Sequence, residues 1–190
     1  PNARNRRKST ALFWGIFDEA KVRLLIEHGA DVNAATVEGR TPVYQAASLG
    51  NGLPVLKLLL EKGAHPDAKT LVGGTALMVA ASRGNVPAMR TLIEHKADVH
   101  TKTEAGATAL MGAATTGSVD AVRLLLSKGA DPNVATKRNQ TALADAATAG
   151  SEEVMKLLLD AGAKVDVQDD RGYTALLYAA GSERLSAGPV

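Results

Sequence analysis

The strongest constraint on this 190-residue chain is that it repeats itself. Thr41, Thr75, Thr108, Thr141 and Thr174 each open a similar phrase: TPVYQAASLG, TALMVAASRG, TALMGAATTG, TALADAATAG and TALLYAAGSE. The steps between them are 34, 33, 33 and 33 residues, and the extra residue falls in Asn-Gly-Leu-Pro, Asn51 to Pro54. A second phrase runs in phase: VRLLIEHGADVN from Val22, LKLLLEKGAHPD from Leu56, MRTLIEHKADVH from Met89, VRLLLSKGADPN from Val122 and MKLLLDAGAKVD from Met155. A fixed period of this size is the mark of stacked supersecondary units, none of which buries its apolar face alone.

Each unit reads as two short helices and a turn. Thr suits the cap of the first helix, where its hydroxyl accepts from an otherwise unpaired N–H. Pro42 follows at a position where its missing N–H costs nothing, and Ala, the best helix former, stands there in the other units. Leu77, Ala80 and Ala81 lie at i, i+3 and i+4, which makes one buried stripe. Gly50, Gly84, Gly117 and Gly150 end the first helix; Asn85, Ser118 and Ser151 suit the cap of the second. The Leu triplets form the second helix's apolar face, and Gly63, Gly129 and Gly162 supply the left-handed residue that ends it. Lys96 takes that glycine's place in one unit, at a cost of up to ~1 kcal/mol if the geometry is kept.

The phrases G-x-T-A/P-L-x-x-A-A-x-x-G and V-x-x-L-L-x-x-G-A-D-x-N resemble the ankyrin repeat over essentially the whole chain. The chain departs from that pattern in using Thr-Ala more often than Thr-Pro. Tyr44, Met78, Met111, Ala144 and Leu177 also stand where the family has His. The resemblance implies an all-α ankyrin-repeat solenoid of helix-turn-helix units with projecting β-turn loops. The chain is expected to be a single domain, 1–190, with units near 5–35, 36–69, 70–102, 103–135 and 136–168 and a partial unit at 169–190. Pro1 to Leu12, PNARNRRKSTAL, parallels the inter-repeat stretch PNVATKRNQTAL of Pro132 to Leu143, and no second Leu phrase follows Thr174. Both ends are therefore expected to fall within a repeat of a longer array, and apolar ends of this kind are expected to give weak end-to-end self-association.

Composition narrows function. The net charge is +2, too small to announce a nucleic-acid or membrane partner, and no Cys is present for disulfides, thiolate metal sites or nucleophiles. No apolar run reaches the ~18 residues of a membrane span. The sequence carries no nucleophile elbow, phosphate loop or H-E-x-x-H motif. We therefore expect no enzymatic activity, cofactor, metal, nucleic-acid partner or membrane insertion. His28, His65, His95 and His100 match no ligand spacing, and Arg4, Arg6, Arg7 and Lys8 read as solvated loop charge. The compartment is unknown; with no signal segment in this stretch, a cytoplasmic, soluble protein is the default.

The stretch ALFWGIFDEAK holds the only Trp and both Phe residues, in a unit two residues shorter than the others between Leu12 and Val22. One reading is an aromatic patch for a partner. The preferred one is that bulky rings fill the space left by the shortened turn.

With the Leu-Ala-Ala stripe inward, the residues two, five and six places after each Leu face the other way. That row includes Gln45, Leu49, Val79, Arg83, Gly112, Thr116, Asp145 and Tyr178, with Met78 and Met111 on its flank. By resemblance it is the concave groove where a protein partner binds, together with the loop tips. The candidate binding residues are Arg40, Tyr44, Leu49, Met78, Arg83, Met111 and Thr116, then Lys137, Arg138, Gln140, Asp145, Tyr173 and Tyr178. The alternatives to a binding scaffold are a passive spacer and a substrate-recruiting arm of a larger protein whose catalytic part lies outside this chain.

Overall fold

A computed structural model describes residues 1–186, with side chains through Gly181. The described residues form eleven α-helices: α1 (Ala11–Trp14), α2 (Glu19–Glu27), α3 (Pro42–Ala47), α4 (Leu53–Glu61), α5 (Ala76–Ala81), α6 (Val86–Glu94), α7 (Ala109–Thr115), α8 (Val119–Ser127), α9 (Ala142–Thr148), α10 (Glu152–Asp160) and α11 (Ala175–Ser186). A short 3₁₀ turn, Gly15–Phe17, joins α1 to α2. Among the described residues the only β-pairing is one isolated bridge, Ala135 with Thr141. No described helix is long and apolar enough to cross a membrane.

The threonine phrase does what its chemistry suggests. The hydroxyls of Thr10, Thr41, Thr75, Thr108, Thr141 and Thr174 each accept from the backbone N–H three residues on, at 3.3–3.4 Å. Asn85 caps α6 in the same way, accepting from Ala88 N–H at 3.2 Å. Ser118 and Ser151 differ: they occupy the cap positions of α8 and α10 without a side-chain bond. The backbone N–H groups of all three close the preceding helices, donating to the Ala80, Ala113 and Ala146 oxygens.

The chain divides into two compact units, residues 1–80 with 85–98, and residues 81–84 with 99 onward. In the first unit α3 packs on α4, and α2 and α6 pack on α4. In the second α9 packs on α7, α10 and α11, and α8 packs on α7 and α10. The cores are aliphatic: Leu56 and Leu59 in one, Leu110, Leu125 and Leu158 in the other, all essentially inaccessible. Each such side chain contributes roughly 1.5–3 kcal/mol through burial.

Side-chain amides tie successive repeats together. Asn33 donates to Gly63 O at 3.3 Å and accepts from His65 N–H at 2.8 Å. Asn133 repeats this with Gly162 and Lys164, at 2.9 Å each. Asn2, in the opening phrase, does the same with Gly29 and Asp31. The opening phrase thus performs in the first repeat the work its echo performs later.

The left-handed position that ends the second helix is kept where Lys96 replaces glycine: its φ is 69°. A left-handed non-glycine residue costs roughly 1–2 kcal/mol, and glycine returns about half of that as unfolded-state entropy. Lys96→Gly is therefore expected to raise stability by about 0.5–1 kcal/mol, read as a higher urea midpoint at unchanged slope; a lower midpoint would show that the lysine is not strained.

Candidate partner-binding face

In the first unit, Arg40 is exposed at a loop tip, and its guanidinium sits 6.0 Å from the centroid of the Tyr44 ring. Tyr44, Leu49 and Met78 are half-buried. The carbonyl of Leu49 is already engaged, accepting from Asn85 Nδ2 at 3.1 Å. The aromatic stretch corrects the expectation that its rings fill the shortened turn. Phe13 and Ile16 do fill it, but Trp14 and Phe17 are 58% and 62% exposed. Trp14 touches Phe13 edge-on, with ring centroids 6.0 Å apart. Trp14 stands two places after Leu12, so the rule that selected Gln45 and Asp145 also selects it. That spacing is a signal present in the sequence.

In the second unit, Arg83, Thr116, Lys137, Arg138 and Tyr173 are exposed. Thr116 is turned back on its helix, its hydroxyl donating to Ala113 O at 2.9 Å. Met111 is a correction: it is only 4% exposed and belongs to the core. Its truncation would open a cavity and cost stability, so it cannot serve as a neutral probe of binding.

Asp145 is also corrected, from exposed to half-buried on α9. Gln140 Nε2 donates to its Oδ1 at 3.1 Å. Burial pushes the Asp145 carboxyl up to about 6, against the opposing pull of the Gln140 hydrogen bond.

Tyr178 is half-buried and engaged rather than open to a partner. Its hydroxyl donates to Asp169 Oδ2 at 2.5 Å and accepts from Arg171. Arg171 also pairs with Asp169 at 3.3 Å and lies 5.5 Å from the Tyr173 ring and 5.8 Å from that of Tyr178. The Tyr178 hydroxyl, then the backbone N–H groups of Tyr173 and Arg171, hold the Asp169 carboxyl down at about 2. Asp169 organises this last tip as Thr36, Thr70, Thr103 and Thr136 organise theirs, by accepting the N–H four residues on.

Among the described residues, no three His, Asp or Glu side chains come together as a metal site. What the two units offer is exposed side chains on capped first helices and on hydrogen-bonded tips. A family profile for ankyrin repeats matches the chain three times, at residues 1–70, 51–136 and 131–187. The chain belongs to the ankyrin-repeat family, an all-α class whose members generally act as protein–protein interaction modules. Comparison with curated proteins finds no match.

Proposed function

We propose that the chain is a protein-binding scaffold with no chemistry of its own, and that its affinity is concentrated in the first unit. The observation that carries this is the exposure of Trp14 and Phe17 in a chain only 3% aromatic. Large rings dominate hot spots because they desolvate much area at little entropic cost. Tyr44 and Arg40, stacked together, extend the same chemistry; Arg83, Thr116, Lys137, Arg138, Gln140, Asp145 and Tyr173 are proposed as the second unit's contribution.

The test begins with a partner captured from a lysate of the source organism. Trp14→Ala with Phe17→Ala is expected to weaken binding by roughly 2–4 kcal/mol, with little change in thermal unfolding because both rings are exposed. Lys57→Ala with Arg123→Ala, exposed on second helices, should leave affinity intact. Loss in the control pair alone would place the partner elsewhere. A spacer would show no loss with either.

A second reading concerns self-association. Leu24 is exposed, whereas Leu58 and Leu124, its counterparts in other repeats, are buried; Leu176 stands exposed where Leu77, Leu110 and Leu143 are buried. These apolar surfaces favour weak contact between copies, which sedimentation over a range of concentrations would reveal.

A further inference from the structure

Three successive loop tips of the first unit lie side by side. Val37 N–H donates to Arg7 O at 2.9 Å, and Leu71 N–H donates to Glu38 O at 3.0 Å. Gly39 permits this approach: a Cβ there would lie 2.9 Å from Thr70 Cα and 3.0 Å from Leu71 N. The tips therefore present their side chains as one row rather than as independent loops.

That row is unusual in what it shows to solvent. Leu71 and Val72 are 70% and 64% exposed, and Val37 is exposed beside them. Arg6, Arg7, Lys8 and Arg40 are exposed in the same tips, with Lys69 at their edge. Glu38 is the only acid in the three tips. Among the described residues, no carboxylate lies within ion-pair distance of any of these five cations. Single exposed aliphatic side chains are ordinary. The Glu38 carboxylate feels the charges of Arg7 and Arg40, and Arg40 lies over the Tyr44 ring, yet one acid faces five cations; exposed aliphatic side chains and an excess of positive charge therefore share the same hydrogen-bonded tips.

We propose that this tip row docks an acidic protein segment that carries aliphatic side chains among its carboxylates. The assignment deepens the protein-binding reading and rests on it. Carboxylates answer the guanidinium groups of Arg6, Arg7 and Arg40, with two-pronged geometry available to each. Aliphatic groups of the segment cover Leu71, Val72 and Val37, and the water they exclude strengthens the neighbouring ion pairs. The positive field also steers an acidic partner to the face. A nucleic acid matches the row less well. Its phosphates have no counterpart for three aliphatic side chains, and the tips hold no aromatic ring for bases to stack on.

The test uses the whole chain and four labelled probes, followed by fluorescence anisotropy at two salt concentrations. The first is a peptide of Glu, Asp, Leu and Val in mixed order. The second has Ser for Leu and Val, the third has Lys for Glu and Asp, and the fourth is a single-stranded oligonucleotide of equal charge. The first probe is expected to bind tightest, the second about tenfold weaker, and the third not at all. Arg7→Glu with Arg40→Glu should lower affinity for the first probe at least tenfold. Leu71→Ser with Val72→Ser should lower it about tenfold while leaving the second probe unaffected. Lys57→Glu on α4 should change nothing. Equal or tighter binding of the oligonucleotide, equal binding of the Ser peptide, or full affinity in the tip variants would overturn the assignment. If Trp14 and Phe17 are needed for the captured partner but the acidic–aliphatic peptide ignores the tips, this inference falls and the protein-binding reading stands. If both experiments show no effect, both fall.

Discussion

Gly52→Ala is expected to destabilise the protein by about 3 kcal/mol, the upper end of the cost of overpacking. Gly52 lies in Asn-Gly-Leu-Pro, where one repeat is 34 residues long instead of 33. The chain absorbs the extra residue in the turn between α3 and α4, and Gly52 becomes the buried cap residue of α4. Its φ is −78°, an ordinary value, so backbone strain is not the issue. The constraint is steric. A Cβ at this position would lie 2.0 Å from the carbonyl oxygen of Ala46 and 2.9 Å from its carbonyl carbon. Both are backbone atoms of α3, so no rotamer change relieves the clash, and α3 and α4 must move apart. Ala46 and Leu56, both fully buried, would lose packing in consequence. The control is Gly50→Ala, two residues earlier, where a Cβ meets nothing within 4 Å. Urea unfolding should show a large fall in midpoint for Gly52→Ala and a small change for Gly50→Ala. Equal effects would mean that the inserted residue is accommodated by a looser turn than this.

The contrast between these two glycines shows what can be read from sequence. The threonine caps, the Leu stripes and the left-handed helix ends were legible because each depends on a few neighbouring residues and a fixed period. Lys96 keeps the left-handed geometry of the glycine it replaces because its repeat imposes it. The insertion could be located at Asn51–Pro54, but which glycine admits no side chain depends on where Ala46 O lies in space. The candidate face was legible only in outline. Met78 and Met111 occupy the same place in consecutive repeats, yet Met78 is half-buried and Met111 is buried. Burial beside the inner stripe of a helix is decided by the bulk of whatever packs next to it. Beside Met111, Gly112 lets the backbone of Ser82 come within 3.3 Å of where a Cβ would stand. Trp14 and Phe17 went the other way, because Phe13 and Ile16 were enough to fill the shortened turn. The Asp169–Arg171–Tyr178 cluster joins residues up to nine apart across a tip and a helix, a contact that helical periodicity does not predict.

Asp145→Asn is expected to stabilise the protein by about 2 kcal/mol at pH 7.5 and by less than about 0.5 kcal/mol at pH 4. The ordinary Asp value is 3.8, and burial raises that of Asp145 to about 6. In this window the folded chain binds the proton more tightly than the unfolded chain, so folding is favoured by acid. The stability associated with the protonated carboxyl is fully present below 3.8 and is lost as pH rises through about 6. A shift of about two units corresponds to roughly 3 kcal/mol; partial exposure of the group screens the charge and reduces this to about 2 kcal/mol. Asn removes the charge and keeps an oxygen that accepts from Gln140 Nε2, so the hydrogen bond survives. The carboxyl of Asp169 is held at about 2, so its stabilising contribution is present above 3.8 and disappears only in stronger acid. Comparing wild type with Asp145→Asn at each pH cancels that group and every other titrating side chain common to both. Urea unfolding followed by helical circular dichroism between pH 4 and pH 7.5 should give a gap that widens from pH 4 to about pH 6 and is level above it. A gap that is constant across that range would trace the effect to packing, and no gap at pH 7.5 would mean that the carboxylate is solvated after all.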